Sequence, residues 1–481
     1  MQAINAVRDP DASTADGARV LPLWRGSHVD ILPEADLERI RASVLRVLEG
    51  TGIGIGPAGV LEDLRAAGAI PDAEAGRVRL PEALVEDALR AAPRDLLLAA
   101  RDPACDLRVD GAFAWLTTAG RATTLADLTT SERRDPTIAD VAMIARLIDA
   151  VPQIAFAGPP PVATDAQGAL PLRELYAQLT NTSKHVQIEG PADVSAAETV
   201  VEIARVAAGD AAALRSRPVL SAVVPVTEPL SLPALEPTLA FARAGIPCAF
   251  VSRPRSASLA GALVHSMAET LAGLVVLQLL APGAPAFVGS AAREPSSAPR
   301  FQMAWAQLAA RFGVRAMIGG FATDATPSDW RAGVQSGLSG TVAWMAPPDM
   351  LAAAGMRDRG RLFSPIAMLL DTEVFGLIRQ IPLGFDVDEE TLAVGVIDEV
   401  GPAEHFLGEQ HTLRHFRETW TSRFMDTSTW EAWEELGRRE PPEHAAATAR
   451  ELLDSVEPAP LPASVDHRIR EVIAEHERDK G

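Results

Sequence analysis

Cysteine is scarce in this 481-residue chain, which has only Cys105 and Cys248. Neither belongs to a CxxC pair or a Cys/His ladder, so no ligand set for a zinc cluster and no disulfide framework is present. Such usage suits a reducing, cytoplasmic setting. The opening stretch MQAINAVRDPDASTADG carries acidic groups and no apolar core, and does not read as a signal peptide. Long greasy runs are missing too. The longest, residues 271–281, contains Gln278 and stops at Pro282-Gly283, well short of the roughly 20 residues of a membrane span. A soluble protein is expected. Positive charge is in deficit, with 44 Lys and Arg against 64 Asp and Glu and a net charge of −20. That balance argues against a general nucleic-acid binder, which needs a basic surface.

What is present is ample core material. Hydrophobic residues make up 47% of the chain, and 37 prolines and 35 glycines supply many turns. Residues 1–30 show no period and read as a flexible N-terminal arm. From Asp36 the spacing of Leu37, Ile40, Val44, Val47 and Leu48 predicts a helix, stopped by Gly50 and Gly52. LPEALVEDALRAAP, with Pro81 in its first turn and Pro93 behind it, predicts another. Residues 31–105 are therefore expected to form a helical N-terminal cap.

Short runs rich in β-branched and aromatic residues then alternate with helical stretches. They fall at 112–118, 153–158, 184–190, 218–225, 247–252, 285–290, 314–320 and 341–347. Segments such as TIADVAMIARLIDA and DVSAAETVVEIARVAAG lie between them and are long enough for crossover helices. The pattern predicts an α/β fold, an eight-stranded parallel (β/α)8 TIM-type barrel over residues 106–350. An open doubly wound sheet is the rival, but TTAGRATTL at 117–125 is not the glycine-rich phosphate loop that fold carries after its first strand. Residues 351–481 read as a helical C-terminal extension, with EPAPLPA at 457–463 as a linker before a final exposed helix.

Several blocks, in order and spacing, resemble the trimethylamine methyltransferase family. They include RASVLRVLEGTGI at 41–53, TLADLTTSERRDPTIADVAMIARLIDAVPQIAF at 124–156 and AGALVHSMAETLAGLVVLQLLAPGAPAFVG at 260–289. The tail LDTEVFGLIRQIPLGFDVDEETLAVGVIDEVGPAEHFLGEQHTLRHFRETW at 370–420 is the most specific. The resemblance implies an α/β barrel that moves a methyl group from a tertiary or quaternary methylamine to Co(I) of a separate corrinoid protein. The cobalamin would come with that partner, and this chain would bind no cofactor tightly and no metal. Founding members of the family carry pyrrolysine, which this chain lacks, so it is similar to the non-pyrrolysine, glycine-betaine-methyltransferase-like members. Two further departures stand out: the segment SRPRSASLAG is short, and Gln335 stands where an acidic residue is expected. Homo-oligomerisation is left open.

Active residues of such barrels gather at strand C-terminal ends. A quaternary ammonium needs no proton removed, so the site must position the C–N bond, exclude water and hold the cation against carboxylates and aromatic faces. Trp115, Phe321 and Trp344 are candidate walls, with plain packing as the alternative. His185, Gln187 and Glu189 alternate along one strand and should share a face, as a ligand site or as an internally satisfied network. Asp324 and Asp329 follow the seventh strand and serve either the ammonium or the local turn and helix cap. Arg253, Arg255 and Arg293 follow the fifth and sixth strands; one could grip a substrate carboxylate, and a surface ion pair is the bland reading. Glu189, Asp324 and Gln335 are the candidate catalytic residues. Trp115, His185, Gln187, Phe321, Trp344, Arg253 and Arg293 are the candidate substrate-binding residues. Glu269 and Gln278 are polar on an otherwise apolar helix. His411 and His415, with Glu418 nearby, have helical metal spacing but no HExxH pattern. The rival functions are a zinc-dependent corrinoid methyltransferase and a non-catalytic protein that binds the amine or the corrinoid protein.

Overall fold

The computed structural model describes residues 18–25, 29–55, 59–72, 74–118, 120–166, 169–226, 230–255, 258–291, 298–321, 323–402, 404–416 and 420–480. Eight parallel strands run through it: β1 (Phe113–Leu116), β2 (Phe156–Ala157), β3 (His185–Glu189), β4 (Leu220–Val226), β5 (Cys248–Ser252), β6 (Ala286–Ser290), β7 (Ala316–Gly319) and β8 (Met350–Ala352). They pair in the order β1-β8-β7-β6-β5-β4-β3-β2, all parallel. The two ends of this order also meet. Thr117 and Phe156 form a parallel bridge, and Ala155 N donates to Leu116 O at 2.7 Å. Leu23–Trp24 adds an antiparallel strand to β1.

A helix follows each strand: α1 (Ile138–Ala150), α2 (Leu170–Asn181), α3 (Val194–Ala208), α4 (Leu235–Ala244), α5 (Leu259–Leu280), α6 (Ala298–Arg311), α7 (Trp330–Met345) and α8 (Pro365–Leu383). Local chemistry sets their starts. Thr137 and Asp140 form a capping box at α1, and Asp193, Ser258, Asp329 and Ser364 accept N-terminal amides of α3, α5, α7 and α8. Helix α5 is apolar on every side. By length and composition it could cross a membrane, yet 78% of its apolar window is buried inside the protein. The outer face of α5 is covered by the helices Glu34–Arg46 and Glu82–Ala91, and a helix hydrophobic all round is a buried one. Each Leu or Val sealed there contributes roughly 1.5–3 kcal/mol.

The structure departs from the sequence expectation in four places. Residues 341–345 are the end of α7 rather than the eighth strand, which is Met350–Ala352, after Pro347-Pro348. The parallel unit therefore runs past residue 350, with α8 as its last helix. The expected helical cap is mixed: Ile53–Ile55, Arg77–Arg79 and Ile70–Asp72 form a small sheet with Ser231–Leu232, and Leu96–Leu98 pairs with Leu107–Val109. Of the expected arm, Leu23 and Trp24 are buried against β1 and residues 1–17 and 26–28 lie outside the described residues. The final helix, Ala463–Lys480, is not free: Ile469, Val472 and Ile473 are buried, and His476 Nδ1 lies 2.9 Å from Thr199 Oγ1 of α3.

Candidate functional site

Alternation along the strands sends every second side chain to the interior of the curled sheet. At its N-terminal end the interior is sealed. The hairpin Leu96–Leu98/Leu107–Val109 packs there with Trp115, Phe156, Phe287 and Met350. Trp115 Nε1 donates to Arg108 O at 2.9 Å, so this tryptophan belongs to the plug and not to a binding wall. His185 is fully buried beside it. Its Nδ1 lies 2.7 Å from Ala99 O and its Nε2 2.9 Å from Ser221 Oγ, and burial pushes its pKa down to about 4. The ring is therefore neutral, donating from Nδ1 to the carbonyl and accepting the serine hydroxyl at Nε2. Lys184 is equally buried and spends all three donors on Ile148 O, Val151 O and Ile154 O at 2.6–2.8 Å.

One layer up, Gln187 Nε2 donates to Ser221 Oγ at 3.2 Å, while its Oε1 has no partner among the described residues. Glu189, two residues further, reaches a cavity of about 460 Å³ at the C-terminal ends of the strands. Val223, Val251, Met317 and Ala352 line its lower wall, and Pro225, Met356 and the main chain at Gly120 stand higher. Gly120 has φ +140°, and a Cβ there would meet Met356 Cε at 2.5 Å. The positive φ, rather than the contact with the flexible end of Met356, is what favours glycine after β1. No aromatic residue lines the cavity among the described residues.

The cavity's charges are Glu189 against Arg121, Arg253 and Arg255. Arg121 is committed to the wall: its Nη1 donates to Glu174 Oε2 at 2.5 Å and to Pro160 O at 3.4 Å. Glu174 is buried, and desolvation raises its pKa despite Arg121 and the Ala163 amide. Glu189 has Arg121 Nε at 4.0 Å, a separation too long for a hydrogen bond, and its side chain is 39% exposed. Its carboxylate is thus available to a cation. Arg255 Nη2 donates to Val226 O at 3.0 Å, and Arg253 is exposed at the rim. Ser290 Oγ, also in the wall, has no hydrogen-bond partner among the described residues.

Behind the rim, Glu269 on α5 is fully buried. It accepts the Leu230 amide at 3.1 Å, His265 Nδ1 is 3.3 Å away, and burial raises its pKa to about 7. Gln278 closes the turn after α5, bonding Ala284 O at 2.7 Å and Gly283 N at 3.0 Å.

Other sequence candidates fall elsewhere. Phe321 packs against Gly340 in the core, and Trp344 donates its Nε1 to Trp24 O at 2.9 Å on the outer side of the sheet. Both are packing residues. Asp324 and Gln335 are paired with each other, Gln335 Nε2 donating to Asp324 Oδ1 at 2.7 Å while Gln335 Oε1 accepts the Thr323 hydroxyl and the Asp324 amide. This knot fastens the loop after β7 to α7 and does not line the cavity. Asp329 is the α7 cap, accepting from Ala332 N at 3.0 Å. Arg293 and Glu418 lie outside the described residues. His411, His415 and Glu390 offer ligand atoms within 4.8 Å of one another, but Arg414 Nη2 already holds Glu390 Oε1 at 2.8 Å. Cys105 and Cys248 are buried and unpaired.

Sequence reasoning missed Arg121 and Met356 in this cavity. Arg121 sits in TTAGRATTL, where the one usable signal was a glycine-preceded arginine directly after a strand.

Residues 7–481 match the family model described as trimethylamine methyltransferase (MTTB). The chain belongs to the trimethylamine methyltransferase family. It is 32% identical over 469 residues to trimethylamine methyltransferase MttB of Desulfitobacterium hafniense, covering 93% of this chain and 94% of that one. It is 29% identical over 480 residues to a glycine betaine methyltransferase of the same species, covering 94% and 98%. In fold it is similar to the monomethylamine methyltransferase of Methanosarcina barkeri, with a TM-score of 0.51 at 11% identity over 90% of this chain and 89% of that one. This family member is a methyltransferase with an α/β fold.

Proposed function

We propose that this methyltransferase takes its methyl group from a quaternary amine that also carries a carboxylate, a betaine-type zwitterion, and passes it to Co(I) of a separate corrinoid protein. The sheet would close as a (β/α)8 barrel, a reading supported by the Thr117–Phe156 bridge. The observation that carries the substrate class is the charge of the cavity. It sets one available carboxylate, Glu189, against two rim arginines, Arg253 and Arg255, in a chain whose net charge is −20. A bare methylamine cation has no use for rim arginines, whereas a zwitterion satisfies both signs.

The chemistry needs little from the chain beyond placement. The methyl carbon leaves nitrogen and bonds to cobalt, and the electron pair of the broken C–N bond stays on nitrogen, giving a neutral tertiary amine. No proton moves. Glu189 holds the ammonium electrostatically, doing the work expected of an aromatic cage, and Met317 and Met356 offer polarizable contact. The apolar floor excludes water from the methyl groups. Arg253 and Arg255 orient the carboxylate so that a methyl faces the mouth, where the acceptor arrives. Gln335, bound to Asp324 away from the cavity, gives no reason to doubt activity. A cytoplasmic location completes this reading.

The test combines the purified chain, a cognate corrinoid protein reduced to Co(I), and a panel of methylated amines, with visible absorbance following conversion to methyl-Co(III). Conversion is expected with a betaine and not with trimethylamine. Conversion with trimethylamine alone overturns the substrate class. Silence with every amine, while a verified methyltransferase methylates the same corrinoid protein, overturns the transferase reading.

A further inference from the structure

Helix α2 buries Leu172, Leu175 and Leu179, and with them two polar side chains, Glu174 and Gln178. The two are four residues apart and share a face of the helix. That face meets the loop after β2: Gln178 Nε2 donates to Gly158 O at 2.9 Å, and Glu174 Oε1 accepts the Ala163 amide at 3.1 Å. The other oxygen of Glu174 accepts from Arg121 Nη1 at 2.5 Å. A buried carboxylate is unfavourable unless it is paired, and a pair that served packing alone would close on itself. This one does not close. Glu174 stays behind the cavity wall, whereas Arg121 is part of that wall, and Arg121 Nε comes to 4.0 Å from Glu189 Oε1.

Glu174, Arg121 and Glu189 therefore form a row, with one guanidinium between two carboxylates. The sharing is unequal. Arg121 Nη1 is engaged by Glu174 and by Pro160 O, while Glu189 is left about 1 Å short of a hydrogen bond and partly exposed to the cavity. The row carries one net negative charge, and that charge stands at its cavity end. Were Arg121 to turn to Glu189 instead, the two would cancel where a cation must sit. Glu174 opposes that turn, because a buried carboxylate stripped of its guanidinium is strongly destabilising. Burial above all, with the Glu189 charge adding to it, pushes the Glu174 pKa up, so this carboxylate depends on Arg121 to stay ionised.

We infer that Glu174 is a positioning residue for binding of the methyl donor: by holding Arg121 from behind the cavity wall, it keeps the charge of Glu189 uncompensated for the substrate's ammonium. This role rests on the betaine-type reading of the cavity, and it explains how a carboxylate with an arginine beside it still selects a cation. Glu174 acts through Arg121 and not on the reacting atoms.

Calorimetric titration of the purified full chain tests this with two ligands of one shape. One is glycine betaine; the other is 3,3-dimethylbutanoate, in which a neutral tert-butyl group replaces the trimethylammonium. The wild type is expected to prefer glycine betaine. Glu174→Gln keeps the shape and an acceptor for the Ala163 amide, but frees Arg121 to pair with Glu189. It should weaken glycine betaine by about 10-fold, the effect of one charged contact, and leave 3,3-dimethylbutanoate at or above its wild-type affinity. Adding Arg121→Met should recover most of the lost affinity, because Glu189 then has no competitor. That double variant removes both members of the buried pair, which costs a fold less than losing one. The ratio of two affinities on one preparation does not depend on how much of it is folded, so it stays readable if Glu174→Gln is destabilised. A purely packing role would weaken both ligands alike and gain nothing from Arg121→Met, and either result overturns the inference. A wild-type preference that Glu174→Gln leaves unchanged overturns it too, with the betaine reading intact. If the wild type binds the two ligands equally, or neither at millimolar concentration, the cation-binding reading of Glu189 falls and the role of Glu174 falls with it.

Discussion

The two ends of the sheet's interior are built from similar material and behave in opposite ways. At the N-terminal end, His185 and Trp115 are buried polar side chains, and each has its hydrogen bonds met by backbone or serine. At the C-terminal end, Glu189 has one ion pair at 4.0 Å, Ser290 Oγ has no partner among the described residues, and Arg253 is exposed. A polar group that serves stability is satisfied within the chain. Those left short in the cavity wall are open to a partner from another molecule. The difference assigns the lower end to folding, and under the proposed function the upper end is where methyl transfer would occur.

The largest effect expected is at the lower end. His185→Leu leaves Ala99 O without its donor and the Ser221 hydroxyl proton without its acceptor in a sealed interior, at a cost of about 2–4 kcal/mol. Denaturant unfolding would measure it, and turnover per folded molecule should stay near wild type. The pH dependence sharpens the case. Burial holds the folded pKa of His185 down to about 4, below its ordinary 6.5. Between those values the unfolded state carries the proton and the folded state does not, so stability falls as pH drops from 6.5 toward 4, by on the order of 3 kcal/mol. His185→Gln should remove that component of the slope. A variant that folds normally but loses turnover would move His185 into the site and break the contrast.

Next comes the upper end. Glu189→Gln keeps the shape and removes the charge facing the ammonium, with kcat/KM for a betaine falling roughly 10- to 100-fold, the worth of a charge-assisted contact. Thermal unfolding should be almost unchanged, because Glu189 contributes one half-exposed ion pair. Unchanged turnover alongside lost stability would reverse the roles of the two ends.

These contrasts show what the sequence made legible. Alternation correctly puts His185, Gln187 and Glu189 on one face, but it does not give depth. A strand climbs about 3.3 Å per residue, so His185 lies roughly 13 Å below Glu189 and only the latter reaches the cavity. The same blindness misplaced Trp115, which sits in the plug. Seven strands were readable from their β-branched runs. The eighth was not, because TVAWMAP is a short apolar run that suits a helix end as well as a strand, and the true strand, MLA, is three residues long. The three-residue strands over 53–109 are too short to show a period. Arg121 joins the cavity through the fold-back of a loop at Gly120, which no spacing encodes.

A smaller effect separates the two rim arginines. Both are exposed at the mouth, and Arg255 donates to Val226 O at 3.0 Å. Arg253→Met is expected to raise KM for a betaine about 10-fold, with kcat within about 2-fold, since losing one charged contact costs about 1.5 kcal/mol. A methylated amine without a carboxylate, if turned over at all, should not notice the change. Equal losses on both substrates would show that Arg253 acts on something other than the carboxylate.

The smallest effect should come from Gln335, the departure that most invited a functional reading. Its amide is consumed by Thr323 and Asp324, so its substitution loosens the loop after β7 without touching the cavity wall. Gln335→Ala should cost about 1 kcal/mol of stability and change kcat/KM by less than about 3-fold, which is under 0.7 kcal/mol. Gln335→Glu is the sharper probe. It sets a second carboxylate against Asp324, and like charges at hydrogen-bond distance disfavour ionisation of one of them. Its melting temperature should therefore fall relative to wild type at neutral pH and recover as the pH drops toward the carboxylate range. A loss of turnover beyond 10-fold in Gln335→Ala, with folding intact, would extend the under-satisfied upper end beyond the cavity to the β7 loop.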